Sequence, residues 1–237
     1  MQNPYDNKTV VRRGQVAQGD VGLRSYMQSV FNLMGMGLAL TGVVAFVVAQ
    51  SPDLIHALYM TPLKWVVLLA PLGLVLYLSF SVQNLSQSTA QLVFWVYAGL
   101  MGLSLGSIFL LYTAESITRV FFITAAMFLA MSLYGYTTKK DLTSMGSFMF
   151  MGLIGIVIAG LVNIFLQSSA LQFALSLLGV VIFTGLTAYD VQRIKDMYYQ
   201  SAAGEALGKV AIMGALTLYL DFINLFMSLL RLFGDRR

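Results

Sequence analysis

From Tyr26 to Phe233 the polar residues gather into short clusters that separate seven long apolar runs. The runs occupy 26–49, 64–82, 92–112, 118–137, 144–166, 171–194 and 209–233. Each approaches the ~20 residues that an α-helix needs to cross the hydrocarbon of a bilayer. The connections "QNLSQST", "AES", "TKKD" and "QSS" leave no room for a second domain. The pattern predicts an all-α integral membrane protein with seven transmembrane helices. A polar tail, 1–24, precedes a single membrane domain, 25–237.

Composition narrows the functional classes. Only 10% of the 237 residues are charged and 58% are hydrophobic, against about 25% charged in a soluble domain. Lipid must therefore supply most of the surroundings. The absence of cysteine excludes disulfides, thiolate metal sites and cysteine nucleophiles, and a single histidine, His56, excludes a multi-histidine metal centre. No basic cluster suggests nucleic acid, no resident cofactor is expected, and no catalytic residues are assigned. The apolar run after the tail is too long for a secretory signal.

Lysine and arginine set the expected orientation. Lys8, Arg12, Arg13 and Arg24 lie in the tail, Lys139 and Lys140 between the fourth and fifth runs, and Arg193, Lys195 and Lys209 around the sixth connection. All nine face one side, which predicts a cytoplasmic amino terminus, while Lys64 and Arg119 sit at helix ends on the other. The tail "RLFGDRR" breaks the rule, because seven spans put Arg231, Arg236 and Arg237 on the sparsely charged side. The last run must either span against that bias or dip in and return. Its length favours spanning.

Two carboxylates stand inside this apolar sequence. Asp190 ends the oily part of "FTGLTAYDVQRIK", and Asp221 sits mid-run in "GALTLYLDFINLF". A charge at the bilayer centre costs ~2.5–3.5 kcal/mol even on lenient scales, so such groups face the protein interior and find partners. Helical spacing aligns Thr217, Asp221, Asn224 and Ser228 with Gly214 in one polar stripe, which marks the seventh helix as central. Asp190 has Thr187 three residues before it and Arg193 three after. If the two acids meet in a low dielectric they cannot both ionise cheaply and would share a proton. A proton, a transiently bound metal cation, or Arg193 and Lys195 from the cytosolic edge would then be their partner. Contact requires the first turns of the seventh helix to protrude, which Gly204, Glu205 and Gly208 would permit.

The stretches "MSLYGYTTKKDLTSMG" (131–146), "FTGLTAYDVQRIK" (183–195) and "GALTLYLDFINLFMSLLRLFG" (214–234) resemble the transmembrane Bax inhibitor motif family, Bax inhibitor one and its bacterial relatives. The resemblance covers the chain after Gly22. It implies six helices wrapped around a central seventh, a bacterial inner-membrane location, and a pH-sensitive calcium leak whose sensor is an aspartate pair matched by Asp190 and Asp221. Some relatives carry a latching arginine on the second helix; here that helix has none, and Lys64 lies at its outer end.

The resemblance leaves two functional readings open, and the residues suggest a third. In the first, the chain is a passive leak for calcium or another cation, with Asp190 and Asp221 as pH sensor and gate and Glu115 concentrating cations at the outer mouth. In the second, it regulates a membrane-protein partner such as a quality-control protease and transports nothing. The third, an intramembrane aspartyl protease, is disfavoured because "LYLD" lacks the glycine-framed G-x-G-D of those enzymes and no Pro-Ala-Leu motif follows. Ser104, Ser107 and Asn163 are candidate pathway residues, although such side chains more often bond a neighbouring helix. Gly102 and Gly106 have the spacing of a close helix approach.

Overall fold

A computed structural model describes residues 4–200 and 205–237. The side chains of Lys8, Arg12 and Arg13, and all of Gly204, fall outside the described residues. The chain forms α1 (Pro4–Gln50), α2 (Pro52–Tyr59), α3 (Leu63–Ser81), α4 (Gln87–Leu105), α5 (Ile108–Leu111), α6 (Ala114–Thr137), α7 (Thr143–Leu166), α8 (Ser169–Gln200) and α9 (Glu205–Phe233). A short 3₁₀ turn, Val82–Asn84, follows α3. Seven of these helices are long and apolar enough to cross a membrane: α1 from Val21, α3, α4 continued by α5, α6, α7, α8 and α9 from Ala206.

Local chemistry explains where the helices begin. Ser51, Ser86 and Thr113 accept hydrogen bonds from the backbone N–H three residues on, the usual satisfaction of orphan donors at a helix start. At α7, Asp141 Oδ1 accepts from the Thr143 N–H at 2.8 Å. That bond and the Thr143 hydroxyl hold the Asp141 carboxyl below its ordinary range. Helix α7 ends on Gln167 at φ 50°, a left-handed residue that reverses the chain into α8.

Helix α9 is the core of the bundle. In its most apolar stretch 67% of residues are buried, against 0% for α7. It packs on α8, α1, α6 and α4, whereas α3 leans chiefly on α4 and α7 on α8. The expected ring of six around a seventh is therefore uneven. Four helices carry the contact, and α3 and α7 present their apolar faces outward.

Close approach depends on glycine at a few seams. A Cβ on Gly135 of α6 would lie 2.2 Å from the Ala188 carbonyl oxygen of α8. Gly102 and Gly106 bring α4 against Thr41, Val44 and Val48 of α1, where a Cβ would meet Val44 at 2.7 Å and Val48 at 2.8 Å.

The last run forms one uninterrupted helix, and the chain leaves it at the end of the bundle opposite the start of α1. There the tail is bolted to the α5–α6 turn. Thr113 N donates to Asp235 O at 3.1 Å, Arg237 N to Leu111 O at 3.0 Å, and Asp235 N to Ser116 Oγ at 2.8 Å. Arg119 pairs with Asp235 at 2.9 Å. Gly234 makes this turn possible, since a Cβ there would meet the Leu230 carbonyl at 2.3 Å.

Candidate functional site

Asp190 and Asp221 face each other across the antiparallel seam of α8 and α9, each carboxyl acting on the other. Two contacts bracket them and set the register. Ile194 of α8 rests against Gly214 of α9 on one side, and Gly179 of α8 against Ser228 on the other. A Cβ on Gly179 would come 2.5 Å from Ser228 Oγ, so the glycine lets the helices close over the pair.

Both acids are withdrawn from solvent, Asp190 at 7% exposure and Asp221 at 5%. Phe222, the next residue on α9, packs edge-on against Phe121 and Phe128 at 5.5 Å, which gives this part of the bundle an apolar wall. Asp221 Oδ2 receives no hydrogen bond from any other described side chain or amide. Ionised carboxylates only accept, so two of them cannot bond each other until one carries a proton. A single shared proton would satisfy the orphan oxygen and cancel half the charge.

The residues around the pair do not neutralise it directly. Arg193 acts on Asp190 through space but does not reach salt-bridge distance. Lys195 turns away: its Nζ donates to the Tyr136 carbonyl at 3.0 Å and lies 5.9 Å from the centre of the Tyr136 ring. Thr187, fully buried one turn from Asp190, spends its hydroxyl on the Phe183 carbonyl at 2.7 Å. The stripe on α9 behaves likewise. Thr217, Asn224 and Ser228 each donate to the carbonyl four residues earlier, Met213, Leu220 and Asn224 respectively. These groups make the stripe polar while leaving the two carboxyls to each other.

Other candidate residues lie elsewhere. Glu115 is exposed in the first turn of α6, and Arg119, one turn further on, is engaged by Asp235. Ser104 donates to the Val67 carbonyl of α3, Ser107 to the Ser104 carbonyl, and Asn163 accepts from Ser168 N, so all three serve local structure. His56 is exposed on α2. Among the described residues no three acids or histidines converge as a metal site.

Two arrangements near the seam escape a reading by motif. Thr41 of α1 lies between the Gly37 carbonyl at 2.9 Å, the Ala98 carbonyl at 2.8 Å and the Tyr219 hydroxyl at 2.7 Å. Its one hydroxyl hydrogen goes to the carbonyls, so Tyr219 is the donor in the third bond. Gln192, two residues beyond Asp190, accepts from Leu142 N at 2.9 Å and donates to the Lys140 carbonyl at 2.8 Å. It thereby ties the α6–α7 loop to the helix that carries Asp190. The one sequence signal for the first is a lone threonine in the apolar stretch 33–49; the second leaves none.

The model of a protein family described as inhibitor of apoptosis-promoting Bax1 matches residues 23–237. The protein RP147 of Rickettsia prowazekii is 50% identical over 97% of this chain and 98% of its own. The inner membrane protein YbhL of Escherichia coli is 48% identical over 95% and 98%. A membrane protein of Streptococcus pyogenes serotype M1 is 36% identical over 92% and 95%.

Proposed function

The chain belongs to the Bax1-inhibitor family of membrane proteins, and from that premise we propose that it is a pH-sensitive passive leak for cations, calcium foremost, gated by Asp190 and Asp221. The observation that carries this reading is the facing of two buried carboxyls on the helices that hold the bundle together, with an oxygen that lacks a donor. A shared proton lets α8 and α9 pack closely. Loss of that proton places two like charges in a low dielectric, where repulsion is strong. The helices then separate, and the exposed pair attracts a cation. Flux therefore rises as pH rises. The amino terminus faces the cytoplasm of a bacterial cell by the distribution of lysine and arginine, which puts Asp190 on the cytoplasmic half of its span.

Calcium entry into liposomes carrying the purified protein, read by a trapped indicator, tests the leak itself. Flux well above that of protein-free liposomes is expected, and it persists when residues 1–22 are deleted. Folded protein with no flux at any pH would contradict the leak and favour a regulator that acts on a membrane-protein partner.

A further inference from the structure

At the end of the bundle opposite the start of α1, the α7–α8 turn and the exit of α9 enclose a polar recess of about 410 Å³. Asn163, Gln167, Ser168, Gln172, Arg231 and Arg236 line it. From this arrangement we propose that the recess binds a phosphate group, with Arg231 and Arg236 as its principal ligands.

The charge is present and unspent. Neither Arg231 nor Arg236 forms a salt bridge among the described residues, because the nearby Asp235 is already engaged by Arg119 at 2.9 Å. A guanidinium offers five N–H donors in a planar fork that matches the oxygens of a phosphate. Both arginines are exposed where they line the recess, so an oxyanion entering it meets the two forks together.

The backbone that carries Arg236 is also held in place. Arg236 pairs its backbone with Tyr112 in an antiparallel bridge, and its neighbours Asp235 and Arg237 are bonded to Thr113, Ser116 and Leu111. The tail backbone is thus a fixed strut, so the Cα from which the Arg236 side chain reaches the recess need not be ordered on binding. Helix α8 adds to the site. Ser168 accepts from Leu171 N with its hydroxyl and from Gln172 N with its carbonyl, while the amides of Ser169 and Ala170 remain for an incoming acceptor at the positive end of the helix dipole.

The position identifies where the phosphate comes from. Spans α7, α8 and α9 all end here, at the depth of lipid headgroups. Ile164 and Phe173 on the wall of the recess are 65% and 61% exposed, a greasy flank suited to acyl chains. A phospholipid phosphate fits both parts, and a free phosphate ion fits the polar part alone. The same reading accounts for the basic tail that the charge rule places on the wrong side: its arginines answer a lipid phosphate.

Native mass spectrometry of the full chain, released from a non-ionic detergent, tests the site. Three probes are offered separately: phosphatidylglycerol, a diacylglycerol with the same chains, and inorganic phosphate. Phosphatidylglycerol is expected to remain bound at least about tenfold more than diacylglycerol, and R231Q/R236Q is expected to lose about tenfold. The variant R231K/R236K keeps the charges but not the forks, and should fold as the parent does and bind several-fold less. Retention of inorganic phosphate with the same dependence on the arginines, and no preference for the phospholipid, would assign the site to a free anion. Equal retention of every probe by parent and variants, or no retention of any phosphate probe by the folded parent, would overturn the proposal.

Discussion

Asp221 of α9 faces Asp190 of α8 with its Oδ2 given no donor by any other described residue. Two facing acceptors need a hydrogen between them to bond, and on the function proposed above that requirement makes the packing of the two helices depend on proton concentration.

Replacing one acid by its amide supplies the missing hydrogen permanently. Asp221→Asn is expected to stabilise the protein by about 1–3 kcal/mol under alkaline conditions, where the parent pair would lose its proton, and to change little under acidic ones. Thermal unfolding in detergent as a function of pH checks this. A loss of stability across the whole range would contradict the shared proton.

The clasp between Thr41 and Tyr219 joins α1 to α9. Thr41→Val leaves the buried Tyr219 hydroxyl without its acceptor and should cost about 1–3 kcal/mol, whereas Tyr219→Phe removes the hydroxyl and should cost about 1 kcal/mol. Chemical unfolding of the two variants gives the comparison, with the larger loss expected for Thr41→Val.

Two glycines on α8 contacts should differ in their tolerance of a methyl group. At Gly135 the added carbon meets the Ala188 backbone oxygen at 2.2 Å, which cannot move without shifting α8 two residues before Asp190. At Gly179 it meets the Ser228 hydroxyl at 2.5 Å, the end of a small side chain. Gly135→Ala is expected to cost at least the ~1–3 kcal/mol of an overpacked core and to alter pH-dependent flux. Gly179→Ala should cost less and recover when combined with Ser228→Ala.

Asp141 makes a separate prediction outside the membrane. Its carboxyl is held below the ordinary range by the Thr143 hydroxyl and N–H. A depressed folded value means that its stabilisation is present above the unfolded value, ~3.9, and is lost as pH falls through the folded value. Asp141→Ala should therefore lower the melting temperature at neutral pH. The difference should vanish in strong acid.

Much of this architecture is legible in the chain because lipid imposes a simple rule on it. Long apolar runs must be helices, and each of the seven runs falls in one of the seven long helices, although α1 begins at Pro4, inside the stretch read as a polar tail, and not near Tyr26. The sixth was read to end at Ile194, but α8 continues to Gln200, since a helix goes on into water after its apolar stretch stops. Asp190 and Asp221 stand out because acids are costly in such runs. The partners of those residues are less visible. Thr41 and Tyr219 are 178 positions apart, and Gln192 clasps a loop 50 positions away. Arg119 finds Asp235 rather than its neighbour Glu115. No local periodicity encodes such pairings; they follow only once α9 is threaded between α1, α4, α6 and α8.

The most direct test of the central claim is calcium flux into liposomes between about pH 5 and 8, measured for the parent, Asp190→Asn and Asp221→Asn. Flux in the parent is expected to rise with pH, and each variant should lose that dependence while remaining folded. A parent flux that ignores pH, or variants that keep the parent's pH profile, would contradict a gate made of these two carboxyls.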